Sequence, residues 1–415
     1  MRDSLDPTAA VIREGNGSAD PACAAPRDAT LGVLAQTSPH GRSLGLYIHV
    51  PFCTKRCPYC SFNTAPLDDA AEMRRYVAAA RREIELLGAA SWAEGVGIRT
   101  IFFGGGTPSL LAPDDLAGIL EKVRGRFAVE PDAEVTVECN PESVSRDKLA
   151  GYRAEGVNRI SLGVQSLDDG LLPELGRLHD AGGARRAFEA AREAGHDNVS
   201  VDLMYGLPHL DEAMWTRTID GVLGWGPEHL SAYGLTLDAG SVWAATGVAD
   251  LPAEGAVVAQ YWGLARAAAA RGFEHYEISN YARPGRRARH NLVYWRADEY
   301  LAVGPGACGF VGDVRYGNVK PVARYCARLE EGALPIDTSE RLTPRQRLAE
   351  RLMLGLRLAD GVPRAWLDER VAGDAPLARK VASWSEAGVL VERGDRVALT
   401  EAGFLVSDAL FVELL

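Results

Sequence analysis

Three of the seven cysteines fall within eight residues, Cys53, Cys57 and Cys60 of the run CTKRCPYC. Three soft thiolates at C-x3-C-x2-C spacing can converge on one metal centre. Structural zinc wants four protein ligands. No fourth cysteine lies nearby, and His49 precedes the loop with its side-chain direction open. A [4Fe–4S] cube held by three cysteines keeps one iron free for another ligand, which is a place for chemistry. The spacing alone leaves a cluster, zinc and no metal as open readings. The other cysteines (Cys23, Cys139, Cys308 and Cys326) are scattered, so this is no disulfide scaffold. A thiol-rich loop of this kind implies a reducing compartment, and the expected one is the cytoplasm.

A loop that works on a ligand has to be held. It follows LGLYIHV (44–50), a β-rich run that Pro51 ends. After it, Asp68 is the expected cap of a helix to about Leu87, with Met73, Tyr76, Val77, Ala80, Ile84 and Leu87 on one face. IRTIFF (98–103) reads as a strand closed by Gly104, Gly105 and Gly106, and a helix follows over 114–124. The alternation repeats: strands at 133–138, 158–163, 198–206 and 229–235, and helices at 146–154, 169–175, 181–193, 211–223 and 253–271. Six strands alternating with helices imply an α/β fold with a parallel sheet, open or curled into a barrel. Glu138, Gln165, Asp202 and Tyr233 stand at the strand ends, where the rim of a βα barrel holds ligands.

Residues 272 to about 335 read as less regular. Residues 340–415 change character: a helix capped by Thr343 and opened by Pro344, then helices with a short hairpin. This predicts a winged-helix-like α+β module. Its candidate recognition segment, 377–386, mixes Arg379 and Lys380 with acidic neighbours, which favours a structural or partner-binding role over DNA. The whole chain carries 45 Lys and Arg against 56 Asp and Glu, a net charge of −11, so a broad nucleic-acid-binding surface is not expected. Hydrophobic residues make up 47%, enough for a large core. No run of 18 apolar residues is present, and the start MRDSLDPTAA lacks the basic, then apolar, pattern of an export signal. Residues 1–42 read as a disordered tail, 43–290 as the barrel, 291–339 as a connecting segment packed on it, and 340–415 as the C-terminal module.

The run YIHVPFCTKRCPYCSFN and then FFGGGTPS resemble the radical S-adenosylmethionine (SAM) superfamily, in the branch of oxygen-independent coproporphyrinogen III oxidase. ECNPES, GVNRISLGVQSLDDGLLPELGRLH, DLMYGLP, HLSAYGLT, YEISNYARPG, HNLVYW and GPGACGF extend the resemblance over residues 44–415. It implies a partial (β/α)6 barrel. It implies that Cys53, Cys57 and Cys60 ligate a [4Fe–4S] cluster whose open iron takes the amino and carboxylate groups of SAM. It also implies that Tyr47, the Tyr59 backbone, the turn of Gly105, Gly106 and Thr107, and Glu138, Gln165, Arg177 and Asp202 bind SAM. Plainer readings stand beside these: a tight turn for the glycines, a surface arginine, a helix cap for Asp202.

Within the branch, the oxidase has a fourth cysteine where this chain has Phe62, and it has a patterned N-terminal segment. HNLVYW and LMLGLRLADGV resemble instead the heme chaperone subgroup, which implies heme as a third ligand, carried to an acceptor protein. His290, beside an aromatic pair, is the first axial candidate, with His49 and Cys308 behind it; a solvent-facing or strand-capping histidine is the alternative. Two departures stand out: Ser61 where relatives commonly have Asp, and Cys308 with Gly309 where many read His and Ser.

The leading expectation is therefore a heme chaperone without coproporphyrinogen oxidase activity. It would have an electron donor for the cluster, peripheral membrane association without a span, and a monomeric or cluster-dependent dimeric state. A second is a radical SAM enzyme, methyltransferase or porphyrinogen oxidase, that forms a 5'-deoxyadenosyl radical on a small molecule. A third is a zinc-stabilised protein whose winged module binds DNA.

Overall fold

The computed structural model describes residues 34, 37, 39–41 and 43–415; the expected tail and the chain start otherwise lie outside the described residues. The parallel core has β1 (Ser43–Val50), β4 (Gly97–Gly105), β5 (Ala128–Cys139), β6 (Arg159–Gln165), β7 (Val199–Tyr205) and β8 (His229–Gly234), hydrogen-bonded in that order. Two short strands of the cysteine loop, β2 (Phe52–Cys53) and β3 (Ala65–Pro66), pair parallel outside this sheet. Crossover helices α1 (Ala70–Leu87), α2 (Pro113–Arg126), α3 (Arg146–Ala154), α4 (Leu171–Glu174), α5 (Ala181–Glu193) and α6 (Glu212–Trp225) link the parallel strands. The six expected strands are all present. In β1 every residue after Ser43 is buried, as a strand covered on both faces requires. The cap of α1 is Asp69, whose carboxylate accepts from Ala71 N, and not Asp68 as the sequence suggested.

The segment expected to be irregular is where the structure departs furthest from the sequence reading. After α7 (Val242–Thr246) and α8 (Glu254–Ala270), β9 (Glu274–Glu277) and β10 (Asn280–Ala282) extend the sheet antiparallel beyond β8. Helix α9 (Arg289–Trp295) leads to β11 (Tyr300–Val303), which pairs parallel with β1. A meander of β12 (Cys308–Val311), β13 (Val314–Asn318) and, after α10 (Val322–Glu330), β14 (Ile336–Arg341) completes twelve strands. Strands of three to six residues joined by tight turns are too short to show a period of two. The order runs from β14 to β9 without pairing its ends, so the barrel is partial.

The C-terminal region is α+β. It has α11 (Pro344–Gly355), started by a capping box of Thr343 and Gln346. Then come β15 (Val362–Pro363), α12 (Arg364–Val371), α13 (Ala375–Glu386), β16 (Leu390–Arg393), β17 (Arg396–Leu399), α14 (Glu401–Leu405) and α15 (Ser407–Leu414). The three strands pair antiparallel with β17 central. This region has its own apolar core, including Leu352, Leu367, Phe404 and Phe411. It meets the sheet at β9: Ile278 N donates to Arg357 O at 3.2 Å and Ala359 N to Tyr276 O at 2.9 Å.

Candidate cluster and cofactor site at the strand tips

The cysteine loop leaves the C-terminal end of β1 and is pinned at its root by the glycine turn after β4. Gly106 N donates to Val50 O at 2.8 Å and Thr107 N to Phe52 O at 2.7 Å. A Cβ on Gly106 would meet Phe52 O at 2.6 Å; one on Gly105, at φ +107°, would meet the His49 ring at 2.5 Å. The turn is glycine-rich because the chain's own loop packs against it. Gly105 N also donates to Glu138 Oε2 at 3.2 Å, which fixes one expected site residue on the other.

Behind the loop, His49 is fully engaged. Its Nδ1 bonds the Tyr47 hydroxyl at 2.9 Å and its Nε2 the carbonyl of Asn63 at 2.9 Å. Burial lowers its pKa. It offers no nitrogen to zinc or heme in this structure. Tyr47 is stacked at 6.2 Å on Phe102 and 6.5 Å on His290. Asn63 Nδ2 reaches Pro305 O and Lys320 O, each at 2.9 Å, and so ties the loop to the GPG turn of GPGACG. Gly304, at φ +109°, lies where a Cβ would sit 2.4 Å from His49 O. The Cys308 thiol lies 3.9 Å from Gly306 O in the same turn, behind Asn63. Glu83 of α1 secures this turn from below, accepting from Gly304 N at 2.9 Å, Asn318 Nδ2 at 2.7 Å and Tyr325 OH at 2.6 Å.

Two of the three thiols are approached by side chains from neighbouring loops, Thr107 after β4 and Arg177 after α4. Thr107 Oγ1 lies 3.6 Å from Cys53 Sγ, and Arg177 Nη1 lies 3.9 Å from Cys57 Sγ. Asn140, just past β5, joins the two: its Nδ2 donates to Thr107 Oγ1 at 3.2 Å, and its Oδ1 accepts from Arg177 Nη2 at 2.7 Å. Arg177 also bonds Gly163 O at 2.7 Å and leaves its buried Nε without a partner. A Cβ on Gly163 would fall 2.9 Å from Gln165 Nε2, 3.2 Å from Arg177 Nη2 and 3.4 Å from Asn140 Oδ1, so three polar side chains meet over one bare backbone. Gln165 takes φ +65° at the β6 bulge, a strained conformation for a side-chain-bearing residue and one that accumulates at functional sites. Tyr59 packs at 6.1 Å on Trp243, whose backbone N–H donates to Pro58 O at 2.9 Å. Asp202 is not a helix cap: it sits within β7 and accepts from Ser161 at 3.0 and 3.1 Å and from Ser200 at 3.3 Å. Burial raises its pKa.

The donor set fits a cluster. Cys60 is pushed up to about 11, first by burial and also by repulsion from Cys57 and Cys53, and Cys53 is raised by burial in the same way. His49, the fourth zinc ligand that the sequence offered, has both ring nitrogens engaged, and three thiol donors suit a cube with one open iron. Among the described residues no three His, Cys, Asp or Glu side chains lie close enough to hold a single ion.

His290 adjoins Tyr47 of this site through the ring stack that also includes Phe102. It is fully buried against β4, with Nδ1 2.8 Å from Thr100 Oγ1 and Nε2 2.8 Å from Tyr294 OH. Its backbone N–H donates to Glu134 at 2.9 Å and its ring stacks on Phe102 at 5.0 Å. Burial depresses its pKa to about 3. Expected as an axial heme ligand, it has both ring nitrogens hydrogen-bonded to side chains in this structure. The sequence reading assigned no role to Asn140, although ECNPES contains it; the signal was a carboxamide directly after a strand that ends in Glu138 and Cys139. His179, between Glu142 at 3.2 Å and Val164 O at 3.2 Å, was likewise missed.

Comparison with known proteins agrees with this architecture. The radical SAM superfamily profile matches residues 47–221, and the HemN C-terminal domain profile matches residues 342–406. The heme chaperone HemW of Mycobacterium tuberculosis is 38% identical over 90% of this chain and 95% of its own length. The Bacillus subtilis protein of that name is 32% identical over 88% and 97%. Coproporphyrinogen III oxidase (HemN) of Escherichia coli, at 22% identity, shares the fold with a TM-score of 0.81 over 93% of both chains. The chain thus belongs to the radical SAM superfamily and, within its HemN/HemW branch, to the heme chaperone HemW family.

Proposed function

We propose that the protein is a heme chaperone that carries a [4Fe–4S] cluster and SAM and passes heme, its cargo, to an acceptor protein. The observation that carries this reading is near-full-length similarity to proteins named heme chaperone HemW. Phe62, 45% exposed where the oxidase-type loop has a fourth cysteine, supports it.

In this reading Cys53, Cys57 and Cys60 hold the cluster, which supplies an open iron and an electron-transfer centre. Arg177, set by Asn140, brings fixed positive charge beside Cys57 and suits the carboxylate of SAM. Glu138 and Asp202 offer acceptors for ribose hydroxyls. Tyr47, Tyr59, Gln165 and the turn of Gly105, Gly106 and Thr107 shape the walls. The protein works in the cytoplasm with an electron donor for the cluster, as a monomer or a cluster-dependent dimer. Its C-terminal α+β region is read as winged-helix-like and presents cargo to the acceptor. Among the described residues no helix is long and apolar enough to cross a membrane.

The complete thiol, arginine and strand-tip set also favours a second reading, a radical SAM enzyme acting on a small molecule. Anaerobic incubation with SAM, a reductant and coproporphyrinogen III separates the two. The chaperone reading expects no decarboxylated product and no substrate-dependent 5'-deoxyadenosine; appearance of both overturns it.

A further inference from the structure

A line of buried polar side chains leads from Asp202 to β9, the last strand of the sheet. Ser200 and Asp202 share one face of β7, with His229 and Ser231 beside them on β8. Ser200 Oγ lies 3.3 Å from Asp202 Oδ1 and 2.8 Å from His229 Nδ1. His229 Nε2 lies 2.8 Å from the hydroxyl of Tyr276 on β9, and Ala288 N donates to that hydroxyl at 3.3 Å. Ser200, His229 and Tyr276 are each 0% exposed. Buried polar networks of this kind rigidify a structure when every member is satisfied.

One direction of donation leaves no hydrogen in this line without an acceptor. Tyr276 accepts the Ala288 N–H, so its own hydrogen goes to its other partner, His229 Nε2. An imidazole that accepts at Nε2 is neutral and carries its hydrogen on Nδ1. Burial, with the Arg159 cation in range, holds the His229 pKa well below its ordinary value, in keeping with a neutral ring. Nδ1–H then donates to Ser200, and the single Ser200 hydrogen goes to Asp202. Every link thus donates towards the Asp202 carboxylate, where Ser161 donates as well, at 3.0 and 3.1 Å. Hydrogen bonds given to a carboxylate favour its charged form, against the burial that raises the Asp202 pKa. The outer end of the line is fixed from the C-terminal region. Ala359 N donates to the Tyr276 carbonyl at 2.9 Å, and Arg287, ion-paired with Asp360 at 3.0 Å, lies 5.5 Å from the Tyr276 ring centroid.

We propose that Tyr276, His229 and Ser200 are positioning residues, a one-way hydrogen-bond relay that holds the Asp202 carboxylate as an acceptor for a ribose hydroxyl of SAM and ties that acceptor to the seam with the C-terminal region. This assignment rests on the reading above in which Asp202 receives the ribose. It gives the HLSAYGLT and YEISNYARPG runs one joint role, since His229 opens the first and Tyr276 the second.

The test reads ribose discrimination. Equilibrium dialysis on cluster-loaded protein compares SAM with its 2'-deoxy and 3'-deoxy analogues, and Asp202→Asn sets how much of any preference belongs to Asp202. A site that hydrogen-bonds a hydroxyl rejects the analogue lacking it, so the wild type is expected to prefer SAM over one analogue by about tenfold or more. His229→Phe keeps a ring and removes both nitrogens. It is expected to lose most of that preference through weaker SAM binding, with unchanged affinity for the rejected analogue and unchanged iron content. His229→Asn, whose amide N–H stands near the place of Nδ1–H, is expected to recover part of the preference, and Tyr276→Phe to lose part. If Asp202→Asn removes the preference while His229→Phe and Tyr276→Phe keep it in full, the relay is overturned and the ribose reading stands. If Asp202→Asn keeps it, or the wild type shows none, both are overturned. The nitrogen NMR shifts of the His229 imidazole in the wild type read the direction of the relay even if the variants fail to fold. Hydrogen on Nδ1 alone is expected; hydrogen on Nε2, or on both nitrogens, would overturn the relay.

Discussion

Arg177 donates from Nη2 to Asn140 Oδ1 at 2.7 Å while its Nη1 lies 3.9 Å from the Cys57 thiol. One carboxamide just past β5 thus aims a guanidinium from the loop after α4 at the cysteine loop after β1, and through Thr107 it reaches the vicinity of Cys53 as well. Asn140→Ala releases both. The expected result is a loss of about tenfold in SAM affinity, roughly 1.4 kcal/mol. The iron content should stay unchanged, because the three thiols remain. Equilibrium dialysis of labelled SAM against reconstituted protein measures it, and an unchanged affinity would remove Asn140 from the site.

His290 is expected to matter for stability. His290→Ala removes hydrogen bonds to Thr100 and Tyr294 and a ring stacked on Phe102. A cost of about 2–4 kcal/mol follows for a buried, doubly bonded side chain. Urea unfolding should show a lower midpoint, while hemin stoichiometry per folded chain stays the same. Loss of heme with no loss of stability would reverse the assignment.

This residue shows how far the sequence carried. Its motif, HNLVYW, identified the family branch, but the spacing of a histidine and two aromatics says nothing of which side of a barrel they face. The parallel strands were legible because each is an apolar run between helices of clear period. The strands β9 to β14 were not, being three to six residues long. The three cysteines were legible from spacing. Asn140, Asn63 and Glu83 were not, because their importance lies in side-chain partners 33 to 257 residues away that only the closed fold brings near.

Glu83 carries a pH signature. Burial raises its pKa from the ordinary 4.5 to about 7, against three hydrogen bonds that lower it. The folded state therefore holds this proton more tightly than the unfolded state. The contribution of Glu83 is most favourable below pH 4.5 and is lost as pH rises toward 7, by roughly 3 kcal/mol. In Glu83→Gln that slope disappears. Urea midpoints measured from pH 4.5 to 7.5 for both proteins should converge or cross along this interval; parallel curves would contradict a raised Glu83.

The GPG turn is expected to tolerate no side chain at its first glycine. Gly304→Ala combines φ +109° with a 2.4 Å approach to His49 O and should cost more than about 3 kcal/mol. Gly285→Ala, at φ +77° with nothing within 4 Å, should cost about 1 kcal/mol. Chemical denaturation of the two variants side by side isolates the contact from the backbone conformation.

The heme-carrying role itself is tested most directly by transfer. Protein with its cluster reconstituted is loaded with hemin, freed of excess by gel filtration, and mixed with an apo-heme protein whose holo spectrum is distinct. The account predicts saturable loading near one hemin per chain and appearance of the acceptor's holo spectrum faster than with free hemin at the same concentration. Absence of saturable loading, or transfer no faster than from free hemin, would contradict it.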